Sequence, residues 1–545
     1  MTDTPDKELL AEAEQAPKLM ATTGRAMAGA AAIMMITIFL ARILGVVRES
    51  VTVYIFGSAS MEMAAIEAAL TVPNLIFYLV AGGAVRSGFV PVFTGYVAKK
   101  QYREAWGLFS NYTTFLVIVG GLVLTLGVVF ARPLVHIAAP GFEGAQLDMA
   151  VQLTQWMLPV QLFLLLGGLF GGLLNSLGVF WTPALAPILY NVGIIACVMA
   201  LSPSLGALSF AVGMLVGAIG GHFLIQLPSL VIHKIRLWPN FHWRDEGFKT
   251  VLKIAVPIIV GLTAVEINGR VNIALASLVS NEAVVALGRA FRVARLPDGI
   301  FAMGVGIAML PALSHIGAMA EMQRFRETLA TALRAVIVAT VPSAALLFVL
   351  REPVMALIYQ HGDKVRPEDI HLMAIILAFY ALGIVPLSLR VVLTRAFYAL
   401  KNSWIPAVVG CIEVALCITL NIVTVKPFGA WGLALGTSIA SLVAMVIMFW
   451  AFYKKVGPLG ARRMGGGLLK TGMAAVGMSV VASLTYEGLL ALLPQGLVGM
   501  ALAFLMATCL SVASYLAFCK GLGVEEINLV LSGLTRRFRP KSSTT

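Results

Sequence analysis

An all-helical fold that crosses a lipid bilayer about 14 times is predicted by three features of the sequence. Apolar runs of about 20 residues, long enough to span hydrocarbon as a helix, recur from Met27 to Phe518. Only 12% of the 545 residues are charged and 59% are hydrophobic. A soluble domain carries about 25% charged residues, so lipid is the solvent that suits this surface. Basic residues, finally, are concentrated in every second connecting segment.

The spans begin near Met27, Met63, Gly107, Gln152, Pro183, Leu205, Val251, Gly299, Ala332, Met373, Pro406, Leu433, Leu469 and Leu497. The basic connections hold Lys99, Lys100 and Arg103; Lys234, Arg236, Arg244 and Lys249; Arg324 and Arg326; Lys454, Lys455, Arg462 and Arg463. The C-terminal tail adds Arg536, Arg537, Arg539 and Lys541. The intervening loops, such as Glu143 to Asp148 and Asp363 to Asp369, are neutral or mixed in sign. Basic loops stay on the cytoplasmic side, so both termini are expected there, in an inner (plasma) membrane. The net charge of +13 is explained by these loops, and no nucleic-acid partner is implied.

The chain repeats itself. Pro73-Asn74-Leu75-Ile76-Phe77 resembles Pro297-Asp298-Gly299-Ile300-Phe301, each followed by a glycine at the same offset, Gly82 and Gly306. Trp181-Thr182-Pro183-Ala184 resembles Trp404-Ile405-Pro406-Ala407. The halves are offset by about 224 residues, which fits a parallel duplication of units of about six spans. The expected organisation is a cytoplasmic tail (1–26), an N-lobe (27–233), a C-lobe (250–456), an appended helix pair (468–520) and a basic cytoplasmic tail (521–545). Two lobes around a central cleft is the geometry of alternating access.

Several chemistries are excluded. No GxxxxGK[ST] phosphate loop, HExxH or GxSxG motif occurs, so neither ATP hydrolysis nor hydrolase chemistry is expected, and no cofactor is implied. The seven histidines lack ligand spacing, and His222, in span six, reads as a packed or cavity-facing residue. The five cysteines lie in apolar runs without CxxC spacing, which suggests neither disulfides nor zinc. Gly167, Gly168, Gly171 and Gly172 read as close helix packing.

The informative residues are charges inside apolar spans. Each costs about 2.5–3.5 kcal/mol at mid-bilayer, so it faces a cavity or a partner. In the first half they are Arg42, Arg48, Glu49, Glu62, Glu67 and Arg86. In the second they are Glu266, Arg270, Arg289, Arg292, Arg295 and Glu413. Glu266 and Arg270 stand at i and i+4, so they either neutralise each other on one helix face or contact substrate. Arg289, Arg292 and Arg295 form a basic stripe on the non-cytoplasmic side, against the positive-inside trend. That stripe either anchors at headgroups or binds an anion, and the arginine fork suits phosphate.

These residues carry a family resemblance. Ala41-Arg42-Ile43-Leu44-Gly45-Val46-Val47-Arg48-Glu49, then Phe56-Gly57, Pro73-Asn74-Leu75, Gly83-Ala84 and Phe89-Val90-Pro91, resemble the opening of the MurJ/MviN lipid II flippases. The likeness continues through Ala139-Pro140-Gly141-Phe142, Asn175, Pro183-Ala184, Ala186-Pro187, Asn191, Gln226-Leu227-Pro228 and Leu310-Pro311-Ala312-Leu313-Ser314. It then runs on to Pro342-Ser343-Ala344, Gln360, Gly362, Phe397-Tyr398 and Pro406. The resemblance implies the multidrug/oligosaccharidyl-lipid/polysaccharide exporter fold, with 14 helices, a cationic central cavity and a lipid-tail groove near the last two helices. By it, Arg42, Arg48 and Arg292 match cavity arginines. The chain departs from the pattern at Met63, Phe77, Tyr78, Gly82 and Arg295, where acidic or basic residues are usual.

The expected function is therefore transport and not catalysis: flipping of lipid II from the cytoplasmic to the periplasmic leaflet by alternating access. Arg42, Arg48, Arg86, Glu266, Arg270, Arg292 and Arg295 are the expected substrate contacts. The expected partners are lipid II or a related polyprenyl-diphosphate glycolipid, membrane lipids and cell-wall synthesis proteins. A flippase for another polyprenyl-linked glycolipid and a small-molecule antiporter of the same superfamily are the alternatives, and the arginine excess argues against the second. If Glu266 and Arg270 neutralise each other, Glu266→Gln is expected to reduce transport more than the exchanged pair Glu266→Arg/Arg270→Glu. Cellular transport of the two variants at matched expression checks this, and an exchange worse than the single change refutes the pair.

Overall fold

In hydrocarbon the backbone has no solvent partner, so each span must satisfy its own N–H and C=O groups as a helix. The computed structural model describes residues 24–81, 88–232, 235, 237–238, 240–242, 244–319, 321–361, 364–400, 402 and 404–524. Among them the chain is helical, and ten helices are long and apolar enough to cross a membrane. The chain is thus an all-α, multi-pass membrane protein. The helix Trp404–Val456 reverses at Gly429 (φ 59°, ψ −141°) and so supplies two of the expected spans. The spans expected near Met27, Val251 and Gly299 fall on helical stretches outside those ten.

By packing, the chain divides into two units: 1–285 with 361–365, and 286–360 with 366–545. The first begins with α1 (Gly24–Phe56), α2 (Met61–Ala69), α3 (Thr71–Ala81), α4 (Val90–Ala98), α5 (Tyr102–Phe115), α6 (Gly121–Val129) and α7 (Ala131–Ala138). It continues with α8 (Gly144–Ser176), α9 (Trp181–Leu205), α10 (Leu208–Gly217), α11 (Leu227–Ile232) and α12 (Glu246–Ser277). Helix α8 is the central pillar and touches α2, α3, α6, α7, α9 and α10. Helix α12, which the internal repeat places at the start of the C-lobe, packs here on α3, α5 and α7. The packing boundary at Val285 thus falls later than the repeat boundary at 250.

Small residues set the helix spacing. A Cβ on Gly193 would stand 2.7 Å from Gly217 Cα, and one on Gly217 2.6 Å from the Tyr190 carbonyl oxygen, so α9 and α10 meet backbone to backbone. Gly167 of the glycine-rich run meets the His222 carbonyl in the same way, at 2.4 Å, and Gly171 lies against Pro183. Gly168 faces open space. Lipid tails are as apolar as leucine, so close van der Waals approach replaces the hydrophobic effect between helices.

The two connections of most use to the first unit are polar. Asn111 of α5 donates its amide to the His242 carbonyl (3.0 Å) and accepts from the His242 N–H (3.1 Å), which fixes the segment before α12. Asp245 caps α12 by accepting from Phe248 N–H at 2.7 Å. Glu246, in that first turn, bonds Lys249 at 2.8 Å, and this bond holds its carboxyl below the usual carboxylate range. Phe248 packs tilted or edge-on against Tyr112, Phe115 and Phe241, so the capped end is also packed.

The second unit holds α13 (Asn281–Ala294, in its larger part), α14 (Met303–Ala318), α15 (Met322–Val349), α16 (Arg351–Tyr359) and α17 (Pro367–Ala399). It ends with α18 (Trp404–Val456), α19 (Ala461–Leu492) and α20 (Leu497–Gly521). Its core joins Leu313, Phe325, Leu333, Val392, Phe397 and Phe452, from α14, α15, α17 and α18. Where α18 reverses, Thr424 Oγ1 donates to Gly432 O at 2.9 Å and to Leu420 O at 2.9 Å. Helices α19 and α20 pair with each other, and Tyr515 ties them to α15 by donating to Val338 O at 2.8 Å. Gly217→Val is expected to destabilise the protein by about 1–3 kcal/mol, the usual cost of overpacking, because the new side chain must displace Tyr190 backbone. Thermal melting in detergent measures it; an unchanged midpoint refutes the close approach.

Candidate substrate site

The predicted residues fall in both units. In the first, α1 presents Arg42 at an exposed position and Arg48 with 21% of its side chain exposed. Arg48 Nη2 folds onto the carboxylate of its chain neighbour Glu49, which is itself 10% exposed. Thr52 returns its hydroxyl to the Arg48 carbonyl at 2.6 Å. Helix α9 lies alongside: Asn191 donates to Ala41 O at 3.4 Å and Pro187 O at 2.9 Å, and Tyr190 lies within electrostatic reach of Arg48. Tyr190 also takes His222 edge-on at 5.7 Å, so the histidine is packed against a ring.

Helix α2 starts at Ser60, whose Oγ accepts from Met63 N–H at 3.0 Å, and it buries Glu67. Met63, where the family pattern has an acid, is fully buried. Phe77 and Tyr78 pack edge to face at 5.7 Å on α3. On α12, Arg270 is half-buried, and Asn272, two residues on, is buried. Glu266 lies on the same helix, but its side chain falls outside the described residues, as do Arg86 and Gly82.

In the second unit the expected basic stripe divides. Arg289 is buried, 1% exposed, with its guanidinium 5.7 Å from the ring centre of Tyr359 on α16. Arg292 and Arg295 are half-buried. The reason is geometric: successive steps of three residues drift around the helix, so three such positions do not share one face. Arg295 lies over Phe291 and reaches Asp298 at 3.8 Å. Asp298, 3% exposed, thus stands three residues beyond Arg295 and supplies an acid one turn later than the family pattern has it. It sits in a π-helical turn, Asp298–Ala302, that leads into α14.

Charge at another level of the second unit was only half visible in the sequence. Glu413 of α18 accepts from Arg390 Nη1 of α17 at 2.7 Å and from Ser441 Oγ at 2.8 Å. Arg390 and Arg395 satisfy the same criterion that singles out Glu413, a charge inside an apolar run, and were missed. Neither Arg390 nor Ser441 is close to Glu413 in sequence.

The family model described as lipid II flippase MurJ matches residues 52–505. The chain belongs to the lipid II flippase MurJ family. A probable lipid II flippase MurJ of Buchnera aphidicola subsp. Acyrthosiphon pisum is 28% identical over 424 residues, covering 76% of this chain and 82% of the relative. Among solved structures, a lipid II flippase MurJ in an inward closed conformation aligns at TM-score 0.73 and 23% identity, over 90% of this chain and 99% of that one. An inward-facing multidrug resistance MATE family transporter of the MOP superfamily aligns at TM-score 0.68 and 13% identity, over 78% and 99%. These two likenesses bear on the fold alone. MurJ proteins are transporters, not a family of catalytic enzymes.

Arg42→Ala, Arg48→Ala and Arg292→Ala are each expected to lower transport at least about tenfold, the equivalent of losing one charge-assisted hydrogen bond of about 1.5–3 kcal/mol. Insertion and abundance should stay normal. Headgroup exposure in cells at matched expression measures this, and full activity in all three variants refutes it.

Proposed function

We propose that this chain flips lipid II, the undecaprenyl-diphosphate-linked peptidoglycan precursor, from the cytoplasmic to the periplasmic leaflet of the inner membrane. The match to the MurJ family model over residues 52–505 carries the reading. The intramembrane arginines supply its chemistry. A diphosphate and its sugars cannot enter hydrocarbon unaided, because their lost hydration must be replaced. Arg42, Arg48, Arg270, Arg292 and Arg295 offer forked donors for phosphate oxygens in place of water, while the polyprenyl tail stays in lipid. The basic loops support an orientation with both termini in the cytoplasm, and alternating access exposes the arginines to the two sides in turn.

Glu49 and Asp298 have a defined part in this reading. Each partners an arginine, Glu49 with Arg48 and Asp298 with Arg295. An arginine left without a counter-charge in the bilayer would be costly. A phosphate displaces the carboxylate or shares the arginine with it, so binding exchanges one charge-assisted bond for another and stays reversible. Complementation of a bacterium depleted of its own lipid II flippase tests the assignment, and failure of the well-expressed chain to restore growth refutes it.

Energy for the cycle follows from charge. A diphosphate carries about two negative charges, and moving each outward through 100 mV gains about 2.3 kcal/mol, about 4.6 kcal/mol in all. If the arginines move with the substrate, the loaded step is nearly neutral and the empty cationic site is driven back by the same field. In either case the membrane potential drives the cycle in one direction without ATP. Collapsing the potential with an ionophore at constant pH gradient is expected to slow headgroup appearance outside at least about fivefold. An unchanged rate and extent refutes the coupling.

A further inference from the structure

Arg390 and Arg395 on α17 and Glu413 on α18 are charged residues in the spans of the second unit that have no part in the reading above. The carboxylate of Glu413 is 6% exposed, and both its oxygens are engaged, Oε2 by Arg390 Nη1 at 2.7 Å and Oε1 by Ser441 Oγ at 2.8 Å. The guanidinium is not used up in the same way. Arg390 is 12% exposed, and its Nε is buried without a hydrogen-bond partner. A guanidinium carries five N–H donors in a planar fork, and a buried donor without an acceptor calls for a ligand or water.

Five residues on, Arg395 is half-buried and makes no ion pair among the described residues. Its stem crosses α14 at Gly306, where a Cβ would stand 3.3 Å from Arg395 Cγ. This is the glycine of the internal repeat, and its missing side chain makes room for the arginine. Tyr398, one turn further, is within electrostatic reach of both arginines. Two guanidinium groups against one carboxylate leave one positive charge uncompensated among the described residues. Arg390 lies nine residues from the end of α17, about 14 Å along the helix axis, at the end that faces the cytoplasm in the orientation set by the basic loops.

We propose that Arg390, Arg395 and Tyr398 form an intake station for the phosphate or diphosphate of a lipid-linked substrate entering from the inner leaflet. Glu413 and Ser441 are positioning residues: they fix one edge of the Arg390 guanidinium and leave the other edge for the anion. Bidentate donation from a guanidinium matches tetrahedral phosphate oxygens, and a hydroxyl such as that of Tyr398 adds a third donor. The proposal rests on the flippase reading and adds a place on the path of the same substrate.

The test uses the full-length protein in nanodiscs with farnesyl diphosphate as probe, and inorganic pyrophosphate and phosphatidylglycerol as comparison ligands. Arg395→Gln is expected to weaken farnesyl diphosphate binding about tenfold, as loss of a charge-assisted contact does. The paired change Arg390→Met/Glu413→Leu removes both charges together and so leaves no orphaned ion to unfold the bundle. It too is expected to weaken binding about tenfold at an unchanged melting temperature, a loss that a purely structural ion pair would not produce. Gly306→Ala, which displaces the Arg395 stem, is expected to weaken binding about threefold. Wild-type affinity in both Arg395→Gln and the paired variant overturns the station. So does a loss confined to phosphatidylglycerol, which marks a structural lipid site. Transport by Arg42→Ala and Arg292→Ala, measured in parallel, separates the two levels: loss there with full binding in the α17 variants removes the station and leaves the flippase reading standing.

Discussion

Inside a bilayer every polar group must find its partner within the chain, because hydrocarbon offers none. The backbone answers by forming helices. The hydroxyl side chains answer by bonding to their own helices: Thr52 to Arg48 O, Thr154 to Ala150 O, Thr340 to Val336 O and Thr437 to Leu433 O all reach back four residues. Where a helix is interrupted, a side chain takes over. Thr424 covers the Gly432 carbonyl beside the reversal at Gly429, and Asn111 covers both backbone groups of His242. The turns of this protein are therefore as specified as its spans.

The same constraint governs the charges. Arg48 lies on Glu49, Arg295 reaches Asp298, Arg390 meets Glu413, and Arg289 stacks over Tyr359. These contacts differ in kind. The Arg390–Glu413–Ser441 group joins α17 to both arms of α18, and breaking such a buried pair from one side costs about 3–5 kcal/mol. Arg48 and Glu49 are chain neighbours on one helix, so this contact by itself ties that helix to no other element. A transporter needs both kinds: firm pairs that hold helices in register, and local pairs that keep a binding cation tolerable while it waits.

Packing supplies the remaining specificity. Gly193, Gly213, Gly217 and Gly221 bring α9 and α10 with its continuation to backbone contact, and Gly306 makes way for an arginine stem. Glycines of the first sort set distance, and the one at 306 sets the path of a charged side chain. Sequence inspection treats both alike, since each is a small residue in an apolar run.

The spans, the all-helical class, the orientation expected from the loops and the charges out of place were legible in the sequence, because hydropathy and loop charge are local properties that need no neighbour. Glu413 could be recognised as costly from its surroundings alone. Its partner could not: Arg390 lies on a different helix, and only the packing of α17 against α18 brings them to 2.7 Å. The burial of Arg289 beside half-buried Arg292 and Arg295 was likewise undecided, because helical period gives the angle between residues and not which angle faces protein. The grouping of α12 with the first unit runs across the internal repeat for the same reason. Duplication copies a sequence pattern, but contacts are settled by which surfaces fit at close range. Composition and period thus determined that this chain is a cation-bearing helical membrane protein, and tertiary packing alone decided which cations are locked into structure and which keep donors to offer.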